Sequence, residues 1–333
     1  MRWLRTARFW LGVIAGLAAL HLAGRGVPWV RVSAALSQAD CLLLLLALGS
    51  VLLTNWAKAM RWRLLFYPRH SLLSVRSCLF GVLIGQLANN LLPARLGELV
   101  RAYLIGESST ISKVFALATT VVEKALDSVM LLLLVALLSL WMPMPPWLRR
   151  SSLTISGILV VLLLGAILLA SQRKRIGGVL EGWIEKHPAL AFLRIFGRLV
   201  EASGELSALR NAQVELQLWG WSVLIWMLAV ATNALIQRAV HLDVSPLASP
   251  LLLVVLMAGT ILPTSPMQIG VFHYLCVLTL TLFGVGQDVA LSYAFLLHLV
   301  VYLPIIVGGV LGPWVQGFEP GEQAMATRSS END

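Results

Sequence analysis

The sequence predicts an all-α integral membrane fold: six spanning helices plus two re-entrant or broken helical hairpins in an inverted-repeat arrangement. Three observations predict it. Apolar residues fill 58% of the 333 positions and charged residues only 12%, about half the charged share of a soluble domain. Several apolar runs reach or approach the roughly 20 residues that cross a bilayer as a helix. Two further apolar regions are broken in the middle by proline and polar residues, which hydrocarbon tolerates only where the freed backbone groups find partners inside the protein.

In chain order, the apolar runs place helices near 9–24, 40–57, 114–140, 153–170, 217–238 and 289–314. Arg2, Arg5 and Arg8 precede the first run. It reaches Arg25 without a clear small-residue cleavage site, so an uncleaved first helix is expected rather than a signal peptide. The two broken regions are 77–106, interrupted at Asn89-Asn90-Leu91-Leu92-Pro93-Ala94-Arg95, and 251–283, interrupted at Leu262-Pro263-Thr264-Ser265-Pro266.

Loop charge suggests an orientation. With the N-terminus inside and each broken region returning to its own side, loops 58–76 and 171–216 are cytoplasmic and carry most of the Lys and Arg. Arg149-Arg150 is the one exception. The unit helix–hairpin–helix of about 40–140 then recurs inverted at about 217–314, a pattern found in transporters. One polytopic domain over 1–317 is expected in a bacterial-type inner membrane. The segment 171–216 reads as amphipathic on the cytoplasmic interface and 318–333 as a disordered tail.

Composition also excludes chemistry. The formal charge of +9 sits mainly between apolar runs, so headgroup contact and topology explain it and a nucleic-acid partner is not expected. Cys41, Cys78 and Cys276 are widely spaced, and the six histidines have no HxxxH spacing. Neither a disulfide framework nor a metal site follows, and no cofactor is predicted.

Charge inside apolar sequence is the informative feature. Arg95, Glu98 and Arg101 follow the first break, while Glu123, Lys124 and Asp127 lie within the helix 114–140. Six unpaired ions at bilayer depth would cost on the order of 15–20 kcal/mol. They must pair, snorkel or face water. Glu98 can reach Arg95 and Arg101 on its own helix, and Glu123 and Asp127 share a face. Two readings stay open. One is an ion network that fixes hairpin against helix. The other is a polar cavity in which Arg95 or Arg101 grips an anionic headgroup beside Asn89 and Asn90, while Glu98, Glu123, Lys124 and Asp127 couple or gate. At the second break, Ser265 is placed to cap a helix starting at Pro266 with Gln268 at its third position, a site for a phosphate or simply a capped start. His273 lies two turns further, as a titrating group or a satisfied interior histidine. Arg61, Trp62 and Arg63 are expected to close the second helix as an interfacial anchor, with phosphate steering the minor alternative.

Four segments carry a family resemblance: Arg61-Trp62-Arg63-Leu64-Leu65, Asn90-Leu91-Leu92-Pro93-Ala94-Arg95-Leu96-Gly97-Glu98-Leu99-Val100-Arg101, Glu123-Lys124-Ala125-Leu126-Asp127, and Leu262-Pro263-Thr264-Ser265-Pro266. Over about 10–315 the chain resembles the flippase-like family named for the transmembrane region of lysylphosphatidylglycerol synthases. It departs where the family usually has two glycines and a later glutamate: Met267 and Gln268 replace the glycines and His273 the acid. The resemblance implies translocation of a lipid or lipid-linked intermediate, without synthase activity. The expected substrate is an anionic membrane lipid or a polyprenyl-phosphate-linked molecule. A transporter-like role is expected ahead of two alternatives, a membrane-embedded transferase using a lipid-phosphate donor and a non-catalytic partner of an envelope lipid-synthesis enzyme.

Overall fold

The computed structural model describes residues 7–25, 27–92, 96–142, 207–259 and 266–315. All regular structure among them is helical. The α-helices are α1 (Ala7–Gly24), α2 (Trp29–Ser37), α3 (Cys41–Leu64), α4 (Val75–Leu91), α5 (Gly97–Ser108), α6 (Lys113–Trp141), α7 (Ala212–Ala239), α8 (Ala248–Gly259), α9 (Val271–Thr281) and α10 (Gln287–Val315). By length and composition α3, α7 and α10 can each cross a membrane. The expected helix 153–170, the segment 171–206, the tail 318–333 and Arg149-Arg150 lie outside the described residues.

Local chemistry sets the helix starts. Asp40 Oδ1 accepts from the backbone N–H of Leu42 (2.8 Å) and Leu43 (3.2 Å), capping α3. Ser74 caps α4 through the Ser77 N–H at 3.0 Å, and Asn211 caps α7 through Gln213 and Val214. Leu92 ends α4 in an extended conformation (φ −92°, ψ 142°), as expected of a residue before proline.

The chain repeats one motif: a long helix, two short helices, a long helix. Exchanging α3 with α7, α4 with α8, α5 with α9 and α6 with α10 preserves the set of packed pairs. Thus α3–α4 maps onto α7–α8, α4–α5 onto α8–α9, α5–α6 onto α9–α10, α4–α10 onto α8–α6, α3–α10 onto α7–α6, and α3–α6 onto α7–α10. The broadest contact, α3 on α7, maps onto itself. Helices α1 and α2 lie outside the exchange and pack on α9 and α10.

Around a buried apolar core, burial departs from the pattern of a water-soluble protein in two ways. Leu45, Leu52, Leu299, Leu140 and Trp314 are exposed, whereas Arg61, Arg101 and Glu123 are buried. An apolar exterior around an ionic interior is stable where the surroundings are hydrocarbon.

Two expected boundaries are corrected. Helix α3 continues to Leu64 instead of ending near 57. Ala57 to Leu64 contains no glycine or proline, so nothing breaks the helix where hydropathy falls. Lys58, Arg61 and Arg63 therefore leave the loop whose charge supported the orientation; Arg69 remains between α3 and α4, and Arg76 lies in the first turn of α4. At the second break no helix starts at Pro266. Residues Pro266–Gln268 form one 3-10 turn, Gln268 has a left-handed φ of 56°, and α9 begins at Val271.

At the first hairpin, α4 and α5 cross through glycine. A Cβ on Gly97 would overlap the Gly85 carbonyl and the Asn89 side chain, while one on Gly49 would meet nothing. Overpacking of this kind costs about 1–3 kcal/mol. Gly97→Ala is expected to lower the thermal unfolding midpoint in detergent, with Gly49→Ala unchanged or slightly stabilised; equal midpoints would refute the close crossing.

Candidate functional site

A polar stripe on α3 organises the site. Ser50, Thr54, Asn55, Lys58 and Arg61 recur at helical spacing on one side. At its end, Arg61 is fully buried. Its Nη1 donates to Asp127 Oδ1 (2.8 Å) and to Ser222 Oγ (2.9 Å), and its Nη2 to Glu123 Oε1 (3.3 Å). Arg101 donates to the other Glu123 oxygen, Oε2. One carboxylate on α6 thus joins a guanidinium from α3 to one from α5. The guanidinium of Arg101 also lies 4.5 Å from the centre of the Trp62 ring, and Trp62 Nε1 donates to Thr119 Oγ1 at 2.9 Å.

The hairpin is tied by Asn89. Its Oδ1 accepts the Gly97 N–H at 2.7 Å, satisfying a free donor at the start of α5, and its Nδ2 donates to Glu98 Oε1 at 3.1 Å. Glu98 pairs across helices with Lys124 at 2.9 Å.

Beside this network lies a cavity of about 500 Å3 between the two halves. Its polar wall carries Lys58, Asn55, Gln86, Asn89, Asn90, Glu98, Lys124 and Asp127 from the first half, with Thr232, Asn233 and Gln268 from the second. Its apolar wall comes mostly from α8, α9 and α10, including Leu256, Phe272, Leu297 and Ile305. A volume of this size, with one polar and one apolar wall, suits part of an amphiphile.

Residues 9–309 match the family model described as the lysylphosphatidylglycerol synthase TM region. The chain belongs to this family. It is also similar to a UPF0104 membrane protein of the archaeon Methanothermobacter thermautotrophicus, 24% identical over 314 residues, covering 90% of this chain and 92% of that one. No solved structure matches it.

In this member of the lysylphosphatidylglycerol synthase TM family, the expected site residues are distributed unevenly. Asn89, Asn90, Glu98, Lys124, Asp127 and Gln268 line the cavity. Arg101 and Glu123 stand behind it as a buried pair. Arg95 and Ser265 lie outside the described residues. The expected bridge from Glu98 to Arg101 along one helix gives way to pairs between helices, because α6 offers each of them an opposite charge. The interfacial reading of Arg61 and Trp62 is also corrected: both are fully buried, and Arg63 turns away to the Leu73 carbonyl at 2.7 Å. His273 is buried, accepts the Gly270 N–H at 3.4 Å and stacks on His298 at 5.0 Å. It takes the position in α9 that Gln268 was expected to hold in a helix starting at Pro266.

Met267 and Gln268, where the resemblance expects glycines, have φ of 59° and 56°. A left-handed backbone costs a non-glycine residue about 1–2 kcal/mol. The departure in sequence therefore keeps the glycine-like backbone and adds a side chain to the cavity. Sequence reading missed Lys58, Asn55, Gln86 and Asn233. The signal for the first two was the helical spacing of polar residues on α3, hidden by ending that helix early.

Removing one partner of a buried ion pair costs about 3–5 kcal/mol, while an exposed pair contributes about 0–1 kcal/mol. Glu123→Gln, which strips two arginines of a carboxylate, is expected to destabilise the protein by the larger amount. Lys124→Gln, at a side chain 60% exposed, is expected to fall in the smaller range. Thermal unfolding in detergent separates them, and a Glu123→Gln protein as stable as wild type would show that the network does not hold the helices.

Proposed function

We propose that this chain is a lipid flippase or transporter, moving an anionic lipid or lipid-linked intermediate by holding its headgroup in the cavity between the two halves. The observation that carries this reading is the cavity itself: its polar wall is drawn from both halves, beside an apolar wall able to accompany a hydrocarbon chain. The exchange of packed pairs between α3–α6 and α7–α10 supports an inverted repeat, in which one half rocks against the other around a central site. Family membership agrees with a membrane role and leaves the substrate to be found. On this reading the protein lies in a cytoplasmic membrane with its N-terminus inside.

The network of Arg61, Arg101 and Glu123 supports the site from behind, and Lys124, Glu98 and Asp127 meet the headgroup from the cavity wall. Ala229, a small residue on that wall, is the place to block it. In proteoliposomes carrying fluorescent anionic phospholipids or a polyprenyl-phosphoryl sugar, wild type is expected to expose probe to an external quencher faster than protein-free vesicles. Ala229→Trp, folded but with its cavity filled, is expected to return the rate to background. Wild-type rates equal to protein-free vesicles for both lipid classes would overturn translocation.

A further inference from the structure

The exchange of helices that relates the two halves brings unlike chemistry to matching places. In the first half α5 is held to α6 by Glu98 on Lys124 and Arg101 on Glu123. In the second half the corresponding contact, α9 on α10, holds two imidazoles. His298 stands as far into α10 as Lys124 stands into α6, and His273, like Glu98, lies near the start of its short helix. Their ring centroids are 5.0 Å apart, with planes 19° from parallel. Aromatic rings enclose them. Tyr302 stacks on His298 at 4.2 Å, Phe272 meets it edge-on at 5.1 Å, and Phe295 lies 4.6 Å from His273. Phe272 and Tyr302 line the cavity, so the pair stands directly behind its apolar wall.

The two imidazoles are not equivalent. Nδ1 of His273 accepts the Gly270 N–H at 3.4 Å, a free donor at the start of α9. A proton at that nitrogen would break the bond, so His273 is held neutral. Nδ1 of His298 is buried with no hydrogen-bond partner among the described residues, so no bond there opposes a second proton on that ring. The ring also lies against the face of Tyr302, and an aromatic face stabilises a cation. Charges on both imidazoles would repel, which limits the pair to one proton. Of the elements packed against the pair, α8 has no titratable group. Helix α1 has Arg8 and His21, α2 has Arg31, α3 has Cys41, Lys58, Arg61 and Arg63, α4 has Arg76 and Cys78, and α7 has Glu215 and Arg238. Helices α9 and α10 themselves add Tyr274, Cys276, Asp288, Tyr293 and Tyr302. Among the described side chains none of these brings a charge to bear on either ring; burial acts on both, and His298 on His273.

We propose that His298 is a proton-binding site and that its protonation loosens α9 from α10, so that a proton accompanies the movement of the second half. The site stands on its own geometry, whereas the coupling rests on the transport reading above. With His298 neutral, the aromatic wall packs closed. With His298 charged, a cation lies in that wall without a carboxylate, and burying an unpaired charge is costly. Water entering from the cavity between Phe272 and Tyr302 relieves the cost and parts the two helices. The first half has no such response, because its α5–α6 contact already joins opposite charges.

The test is proton uptake by the full chain in detergent between about pH 8 and about pH 5, the range in which histidine titrates. His298→Phe, which fills the same aromatic box, is expected to take up about one proton fewer than wild type. His273→Asn, whose carbonyl can still accept the Gly270 N–H, is expected to take up as many as wild type. Wild-type uptake in His298→Phe, or the same loss in His273→Asn, would overturn the proposal. A second measurement needs no variant. Hydrogen exchange of the α9 amides, corrected for its intrinsic dependence on pH, is expected to quicken over that range in wild type while that of α3 does not. Constant α9 exchange would overturn the loosening. In proteoliposomes, a pH gradient is expected to change the rate of lipid movement in wild type and not in His298→Phe. A protein that takes up the proton but moves no lipid keeps the site and loses the transport reading. One that moves lipid at a rate indifferent to the gradient keeps transport and loses the coupling.

Discussion

Glu123 is the interaction on which the rest of the structure depends. Its two oxygens receive Arg61 from α3 and Arg101 from α5, so a single carboxylate sets three helices against one another. In a bilayer the apolar surfaces of these helices gain nothing from each other that lipid would not also give. Close packing and polar bonds must fix their positions, and a charge pair with no water to compete is the strongest such bond available. Placing Arg61 here has further consequences. It draws in Asp127 and Ser222, and it puts Trp62 beneath Arg101.

The broken hairpins solve a different problem, that of backbone groups freed in an apolar setting. At the first break a side chain does the work: Asn89 receives the Gly97 N–H, and glycine at 85 and 97 lets the two short helices approach closely enough for it. The second break uses a tight turn instead. Met267 and Gln268 bend the chain through left-handed conformations, and His273 receives the N–H that opens α9. One break ends as a closed clasp, the other as a strained turn presenting an amide. The two hairpins correspond in packing but not in chemistry, so the cavity has a charged wall and a neutral one.

How much of this was legible in the sequence depends on the length scale of the signal. The helices near 9–24, 114–140, 217–238 and 289–314 and the two interrupted regions follow from hydropathy and proline, which act over many residues. Charge in apolar sequence must be accommodated somewhere, which singles out Glu98, Lys124 and Asp127, but the sequence leaves an ion network and a polar cavity equally open; in the structure these three line a cavity with Asn89, Asn90 and Gln268. Pairing was not readable. Glu98 could bond within its helix or across to Lys124, and only the angle of the hairpin decides. Arg61 shows the same limit more sharply. A charged residue after an apolar run looks like an anchor, but helix propensity ignores hydropathy and carries α3 onward until Arg61 meets α6. Gln237, Asn233 and Ser249 form a polar cluster between α7 and α8 for which the sequence offers no spacing signal, since the partners meet only after the helices pack.

The distribution of bonds also says which parts can move together. Among the described residues, the ion pairs around the cavity lie within the first half, joining α3, α5 and α6. Across the seam to α7 the polar links among the described residues are hydrogen bonds rather than ion pairs, including Arg61 to Ser222, Ser50 to the Leu228 carbonyl at 3.0 Å, Thr232 to Ser50 at 3.0 Å and the Asp40 N–H to the Ala239 carbonyl at 2.9 Å. A hydrogen bond from a charged group contributes about 1.5–3 kcal/mol and a neutral one about 0.5–1.5 kcal/mol, whereas breaking one buried ion pair costs about 3–5 kcal/mol. Rocking the second half past the first would exchange the cheaper links and leave the network whole. On the proposed reading, the half that carries the ion pairs would be the frame that holds a headgroup, and the other half, with its strained turn and apolar wall, would be the part whose movement opens the cavity to one side and then the other.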